Sequence, residues 1–177
     1  MSEPIRSENK YIGYEYRDFT VNRSMESVYV DGYHSFGWTL EGIVPSIKGV
    51  FTEVLKFKRD RKIINKAELT RLQRQFESCA AEIETLERSK IIAASAVAYI
   101  IGAFGTAFIA GAVFAHNAGM IPLTIILAIP GFVGWIIPYF CYSNIRGKKT
   151  EKVTPLVENK YDEIYEVCEK ANGLLNK

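Results

Sequence analysis

The 177 residues carry 22 Lys and Arg against 20 Asp and Glu, a net charge of +2. No global field exists to recruit nucleic acid, and none is expected as a partner. The length suits one modest soluble domain plus a small membrane part. Cys79, Cys141 and Cys168 follow no zinc or redox spacing. An odd count behind a polar, mixed-charge N-terminus, with no secretory leader, fits free thiols in a reducing compartment.

In chain order, residues 1–10 are expected to form a flexible tail, and 11–62 a cytoplasmic α+β domain. Tyr11 to Val21 is rich in aromatic and β-branched residues and predicts a strand. Met25, Val28, Tyr29, Gly32, Tyr33 and Phe36 recur at helical spacing, with Gly37 placed to end the helix as a left-handed residue. Trp38 to Val44, stopped by Pro45, predicts a second strand. Val50 to Lys58 predicts a third, with Phe51, Leu55 and Phe57 on one face. The fold class expected is α+β: a small β-α-β-β domain, then long helices.

Tyr14-Glu15-Tyr16-Arg17 and Gly37-Trp38-Thr39-Leu40 carry a resemblance. Residues Tyr11 to Arg61 resemble a family of small bacterial domains of unknown function whose pattern opens Tyr-Glu-Tyr-Lys and continues Gly-Trp-Glu-Leu. Arg17 replaces the Lys and Thr39 the Glu. The resemblance implies a small sheet with one helix, and no activity.

Residues 63–90 predict a helical stalk. Asn65-Lys66-Ala67-Glu68 has the form of a capping box. Leu69, Leu72, Phe76, Cys79, Ile83 and Leu86 then step by alternating threes and fours, a heptad seam. The stalk is expected to run without a break into the first apolar segment.

Residues 91–145 contain no Asp, Glu, Lys or Arg. A hydrocarbon core ~30 Å thick needs about 20 apolar residues per helix, so the stretch suffices for a transmembrane hairpin. The helices are expected at Ile91–Ala115 and Ile121–Ser143, joined by residues 116–120. Arg88 and Lys90 precede the pair, Arg146, Lys148, Lys149 and Lys152 follow it, and the connection has no Lys or Arg. The positive-inside rule puts both termini in the cytoplasm of a two-span cell-membrane protein, with the lipid bilayer as partner.

Small residues Ala94, Ala98 and Gly102, and on a neighbouring row Ala103, Ala107 and Gly111, suit close helix packing. That packing is expected within the chain, or against a second copy or another membrane protein. Pro130-Gly131, Gly134 and Pro138 predict kinks. Trp135, Tyr139 and Tyr142 suit interfacial anchoring.

In the C-terminal helix, residues 146–177, Thr154 and Pro155 mark a start. Val157, Tyr161, Ile164, Cys168, Ala171 and Leu175 form a second heptad seam, expected to pack antiparallel on the first with Cys79 level with Cys168.

Site chemistry is sparse. Lys56, Lys58, Arg59, Arg61 and Lys62 form the densest basic cluster and are candidates for an anionic ligand. Asp31 and His34 lie one turn apart, a pairing more typical of a surface contact than of a catalytic dyad. No phosphate loop, paired-Cys metal site or nucleophile elbow occurs, so no catalytic residue, cofactor or metal is expected. The favoured function is a non-catalytic interaction, scaffold or accessory-subunit role. The alternatives are a small oligomeric channel or transporter component, and a membrane-tethered enzyme with a pocket in the N-terminal domain.

Overall fold

A computed structural model describes residues 12–46 and 51–176. The expected tail at 1–10, Tyr11 and the start of the third strand at Val50 lie outside them. The protein is α+β: a three-stranded antiparallel sheet plus long helices, two of them long and apolar. The elements are β1 (Tyr14–Asn22), a 3-10 turn (Arg23–Met25), α1 (Glu26–His34), β2 (Thr39–Pro45), β3 (Thr52–Asp60), α2 (Lys66–Asn117) and α3 (Ile121–Leu175).

Two compact units divide the chain. One comprises Met1–Ala80 with Tyr161–Lys177, the other Ala81–Lys160. Each long helix contributes to both.

In the first unit the strands order β1-β3-β2, with β3 central. β1 pairs with β3 from Tyr14↔Asp60 to Asn22↔Thr52. β2 pairs from Thr39↔Lys58 to Pro45↔Glu53, with an irregularity between Leu40 and Gly42 that leaves Glu41 as the extra residue. Because side chains alternate along a strand, Leu55, Phe57 and Arg59 of β3 share one buried face with Val21 of β1. Phe51 precedes β3 and is exposed, so it does not share the face of Leu55 and Phe57.

The 3-10 turn that leads into α1 is capped by Asn22, whose Oδ1 accepts from the Ser24 amide at 3.4 Å. Its exit is a Schellman motif: Trp38 N donates to Tyr33 O at 3.1 Å and Gly37 N to His34 O at 3.0 Å, with Gly37 at φ +79°. α2 ends the same way. Met120 N donates to Ala115 O at 3.0 Å and Gly119 N to His116 O at 2.9 Å, with Gly119 at φ +77°.

Tyr33 is the hub of the core. Its ring stacks on Phe57 with centroids 4.8 Å apart and meets Phe19 edge-on at 4.8 Å. Phe76 of α2 joins the same cluster, 5.7 Å from Tyr29, 5.9 Å from Tyr33 and 5.7 Å from Phe36. The beginning of α2 is therefore part of the domain core. The α+β unit does not close at residue 62 but takes in α2 to Ala80 and the end of α3.

Three local expectations are corrected. Asn65 does not cap α2 with its side chain. It sits at φ +56° and its amide donates to Leu174 O at 3.3 Å, while Glu68 pairs with Arg71 at 2.6 Å. Asn tolerates the left-handed region, which frees its side chain to reach α3. Second, no break separates the second apolar segment from the C-terminal helix: α3 runs through residues 144–153 and past Pro155. An interior Pro removes a backbone donor and costs ~3 kcal/mol, yet the helix continues through it. Third, Cys79 is not level with Cys168. Its Sγ lies 3.2 Å from Glu163 Oε2 as a hydrogen-bond donor, five residues before Cys168 on α3. Five residues of offset are ~7.5 Å along the axis, too far for direct thiol pairing across helices.

Gly32 faces Phe76 so closely that a Cβ there would lie 2.4 Å from two ring atoms, whereas a Cβ on Gly42 would meet nothing within 4 Å. Gly32→Ala should lose about 1–3 kcal/mol of stability by overpacking, and Gly42→Ala much less. Denaturant titration followed by Trp38 fluorescence in a Trp135→Phe background measures both.

Candidate functional site

Two constructions stand out, one in each unit. In the first, the alternation of β1 sends Glu15 and Arg17 toward the helices while Tyr14 and Tyr16 remain exposed. Glu15 receives Arg59 Nε at 2.6 Å and Lys66 Nζ at 2.7 Å. Arg59 is only 4% exposed; it also donates to Phe36 O at 3.3 Å and lies 4.4 Å over the Trp38 ring. Burial pushes the Glu15 carboxyl up, but the hydrogen bonds and charges of Lys66 and Arg59 outweigh it and hold the group below the usual carboxylate range.

A second chain of bonds runs beside it. Trp38 Nε1 donates to Gln73 Oε1 at 3.0 Å, Gln73 Nε2 to Glu77 Oε1 at 2.8 Å, and the Tyr33 hydroxyl to the same oxygen at 2.6 Å. Arg17 reaches it at 3.3 Å. Burial, reinforced by the Glu77 carboxylate, pushes the Tyr33 phenol far above its ordinary range, so it stays a neutral donor. No buried side-chain nitrogen or oxygen among the described residues lacks a partner. A network so fully satisfied clamps α2 to the sheet.

The basic cluster is thus not one surface. Arg59 points into the core because it shares the face of Phe57, and Lys58 on the opposite face pairs with Glu41 at 2.8 Å. Lys56, Arg61 and Lys62 are exposed. Asp31 and His34 are exposed as well. Among the described residues no group of three or more His, Cys, Asp or Glu is arranged to hold a metal.

The seam residues Leu69, Leu72, Phe76, Cys79 and Ile83 are buried and Leu86 is partly so. On α3, Val157, Ile164 and Ala171 are buried, Cys168 and Leu175 partly, while Tyr161 is 40% exposed. Val153 and Val167 are also buried. In the first unit, burial shields the Cys168 thiol and raises it above its ordinary value, against a lowering hydrogen bond with Ser35.

In the second unit the helices meet at glycine. A Cβ on Gly105 would lie 2.9 Å from the Gly134 carbonyl carbon and 3.1 Å from Gly131 O. One on Gly134 would lie 2.7 Å from Gly105 Cα, and one on Gly131 2.5 Å from Ile109. Sequence spacing favoured other small residues. Ala94 is fully buried, Ala98 partly, and Gly111 has Leu127 at 3.5 Å. Ala103 and Ala107 are exposed, and nothing lies within 4 Å of a Cβ on Gly102. Gly105, Gly131 and Gly134 were findable only as a matched set, one from α2 and two from α3. Trp135 Nε1 reaches Thr106 Oγ1 at 3.4 Å near this crossing.

No family model, curated protein or solved structure matches the chain.

Two outcomes follow from these geometries. Glu15→Gln should cost about 2 kcal/mol at neutral pH, less than the ~3–5 of a fully enclosed pair because Glu15 is a quarter exposed. Since the folded carboxyl titrates below the unfolded one, its contribution is fully present above the unfolded range. It is lost as pH falls through the lowered folded value. Denaturation midpoints of wild type and variant should therefore converge in acid; a gap that persists or widens there contradicts the assignment. At the crossing, Gly134→Val should lower the SDS-unfolding midpoint of the detergent-purified chain by the equivalent of about 1–3 kcal/mol, and Gly102→Ala should leave it nearly unchanged.

Proposed function

We propose that the protein is a two-span membrane protein in which α2 and α3 form a transmembrane hairpin with both termini in the cytoplasm. It holds a cytoplasmic α+β unit at the membrane, as an interaction, scaffold or accessory subunit. One observation carries this: α2 and α3 are each long and apolar enough to cross a membrane, yet only 11% and 6% of their most apolar windows are buried. Soluble proteins rarely leave so much contiguous apolar surface in water, and helices satisfy their own backbone within lipid. Exposed Ile100, Phe104, Phe114, Ile126 and Phe140 suit contact with acyl chains. The flanking Lys and Arg, set against a connection with none, support the orientation.

The non-catalytic assignment is supported by the use already made of the interior polar groups. Glu15, Arg59, Gln73 and Glu77 are all engaged with one another or with the backbone and aromatic rings that hold the unit together. A single cysteine at Asn117, in a chain otherwise free of cysteine, should react with an impermeant thiol reagent on intact cells. One at Asn176 should react only after lysis. The reverse labelling would invert the orientation, and labelling of both would remove the hairpin.

A further inference from the structure

At the boundary between charged and charge-free sequence, α2 and α3 of the second unit enclose an open groove of about 400 Å³ lined by Thr85, Arg88, Ser89, Ile92, Ala93 and Lys149. We infer that this groove binds an anionic phospholipid, its phosphate between Arg88 and Lys149 and an acyl chain leading away along Ile92 and Ala93. The inference rests on the membrane assignment proposed above.

Charge decides the class of ligand. Among the described residues neither Arg88 nor Lys149 has an acidic partner. Their neighbours differ: Lys90 is held by Glu87 at 2.6 Å and Lys160 by Glu82 at 2.9 Å. Arg146, Lys148 and Lys152 are likewise free of ion pairs among the described residues, so the field beside the groove stays positive. Two uncompensated cations, one from each helix, form a fork for a phosphate. Each basic group near an anionic leaflet adds to the attraction.

Polarity decides between a lipid and a soluble anion. The lining changes from Arg88 and Ser89 to Ile92 and Ala93 within one helical turn. Ile92 is 61% exposed, apolar surface that a soluble phosphate leaves uncovered and an acyl chain covers. The hydroxyls refine the headgroup. Ser89 Oγ donates to Leu86 O at 2.7 Å and Thr85 Oγ1 to Ala81 O at 2.9 Å, so toward the groove both oxygens are acceptors. A headgroup with hydroxyl donors of its own, such as phosphoglycerol, complements them.

The test is native mass spectrometry of the full chain in neutral detergent, titrated with phosphatidylglycerol or phosphatidylcholine. Wild type should retain phosphatidylglycerol in preference to phosphatidylcholine. Arg88→Gln with Lys149→Gln should weaken that adduct roughly tenfold or more; Arg88→Lys should keep most of it, and Arg61→Gln all of it. Equal retention of both lipids, or an unchanged adduct in the double variant, overturns the proposal. So does displacement of the lipid by equimolar glycerol phosphate, which would make this a soluble-anion site. A dimer lost in the double variant, with no lipid adduct, would make a second copy the occupant and also overturn it. Alkaline carbonate extraction separates the two levels of inference. Release of wild type and variant alike removes the membrane assignment, and retention of both with no lipid preference removes only the groove.

Discussion

The seat of Phe76 against Gly32 is the contact on which the first unit depends. A three-stranded sheet with one nine-residue helix has little apolar area of its own to bury, and small domains are marginal for that reason. Phe76 supplies a large ring to the Tyr29, Tyr33 and Phe36 cluster. It can do so only because Gly32 has no Cβ. Once the ring is seated, Gln73 and Glu77 on the same helix come within reach of Trp38, Tyr33 and Arg17. The polar network follows from the apolar contact.

The same geometry explains what the residues behind the resemblance do here. Glu15 and Arg17 face the helices, and Trp38 follows the left-handed Gly37 that turns the chain out of α1. Arg59 lies between Glu15 and Trp38, bonded to one and stacked on the other. Two short motifs separated by some twenty residues therefore meet through a third residue on β3. Each type fits its position: a carboxylate to neutralise a buried guanidinium, and an indole to cover its face.

Periodicity made much of this legible in advance, and its limits are physical. The helical spacing of Met25 to Phe36 and the stop at Gly37 gave α1 to within a few residues. The absence of charge from Ile91 to Ile145 gave the two apolar helices. A heptad seam, however, says that a stripe is covered and not by what: it points Phe76 at the returning helix, whereas the ring lies in an aromatic core. The basic run from Lys56 to Lys62 looked like one patch because composition ignores the two-residue period of a strand. That period sends Arg59 inward and Lys58 outward. Pro155 reads as a helix start because Pro favours first turns, yet α3 runs through it.

Glycine shows the deepest limit. Gly131 and Gly134 sit beside Pro130 and invite interpretation as a kink, and Gly105 has no small neighbour four residues away in the predicted rows. Their role exists only as a relation between α2 and α3, where three missing side chains let two backbones touch. That choice of packing is itself informative. The first unit is held by large rings and branched chains, which gain most when water is the alternative surrounding. Between the charge-free segments the close contact is backbone on backbone. In lipid, burying a Leu against a Leu gains little over burying it against a chain, and close van der Waals approach is what remains to hold helices together. The same pair of helices thus uses one packing chemistry among charged sequence and another where charge is absent, a difference that fits the proposed membrane hairpin.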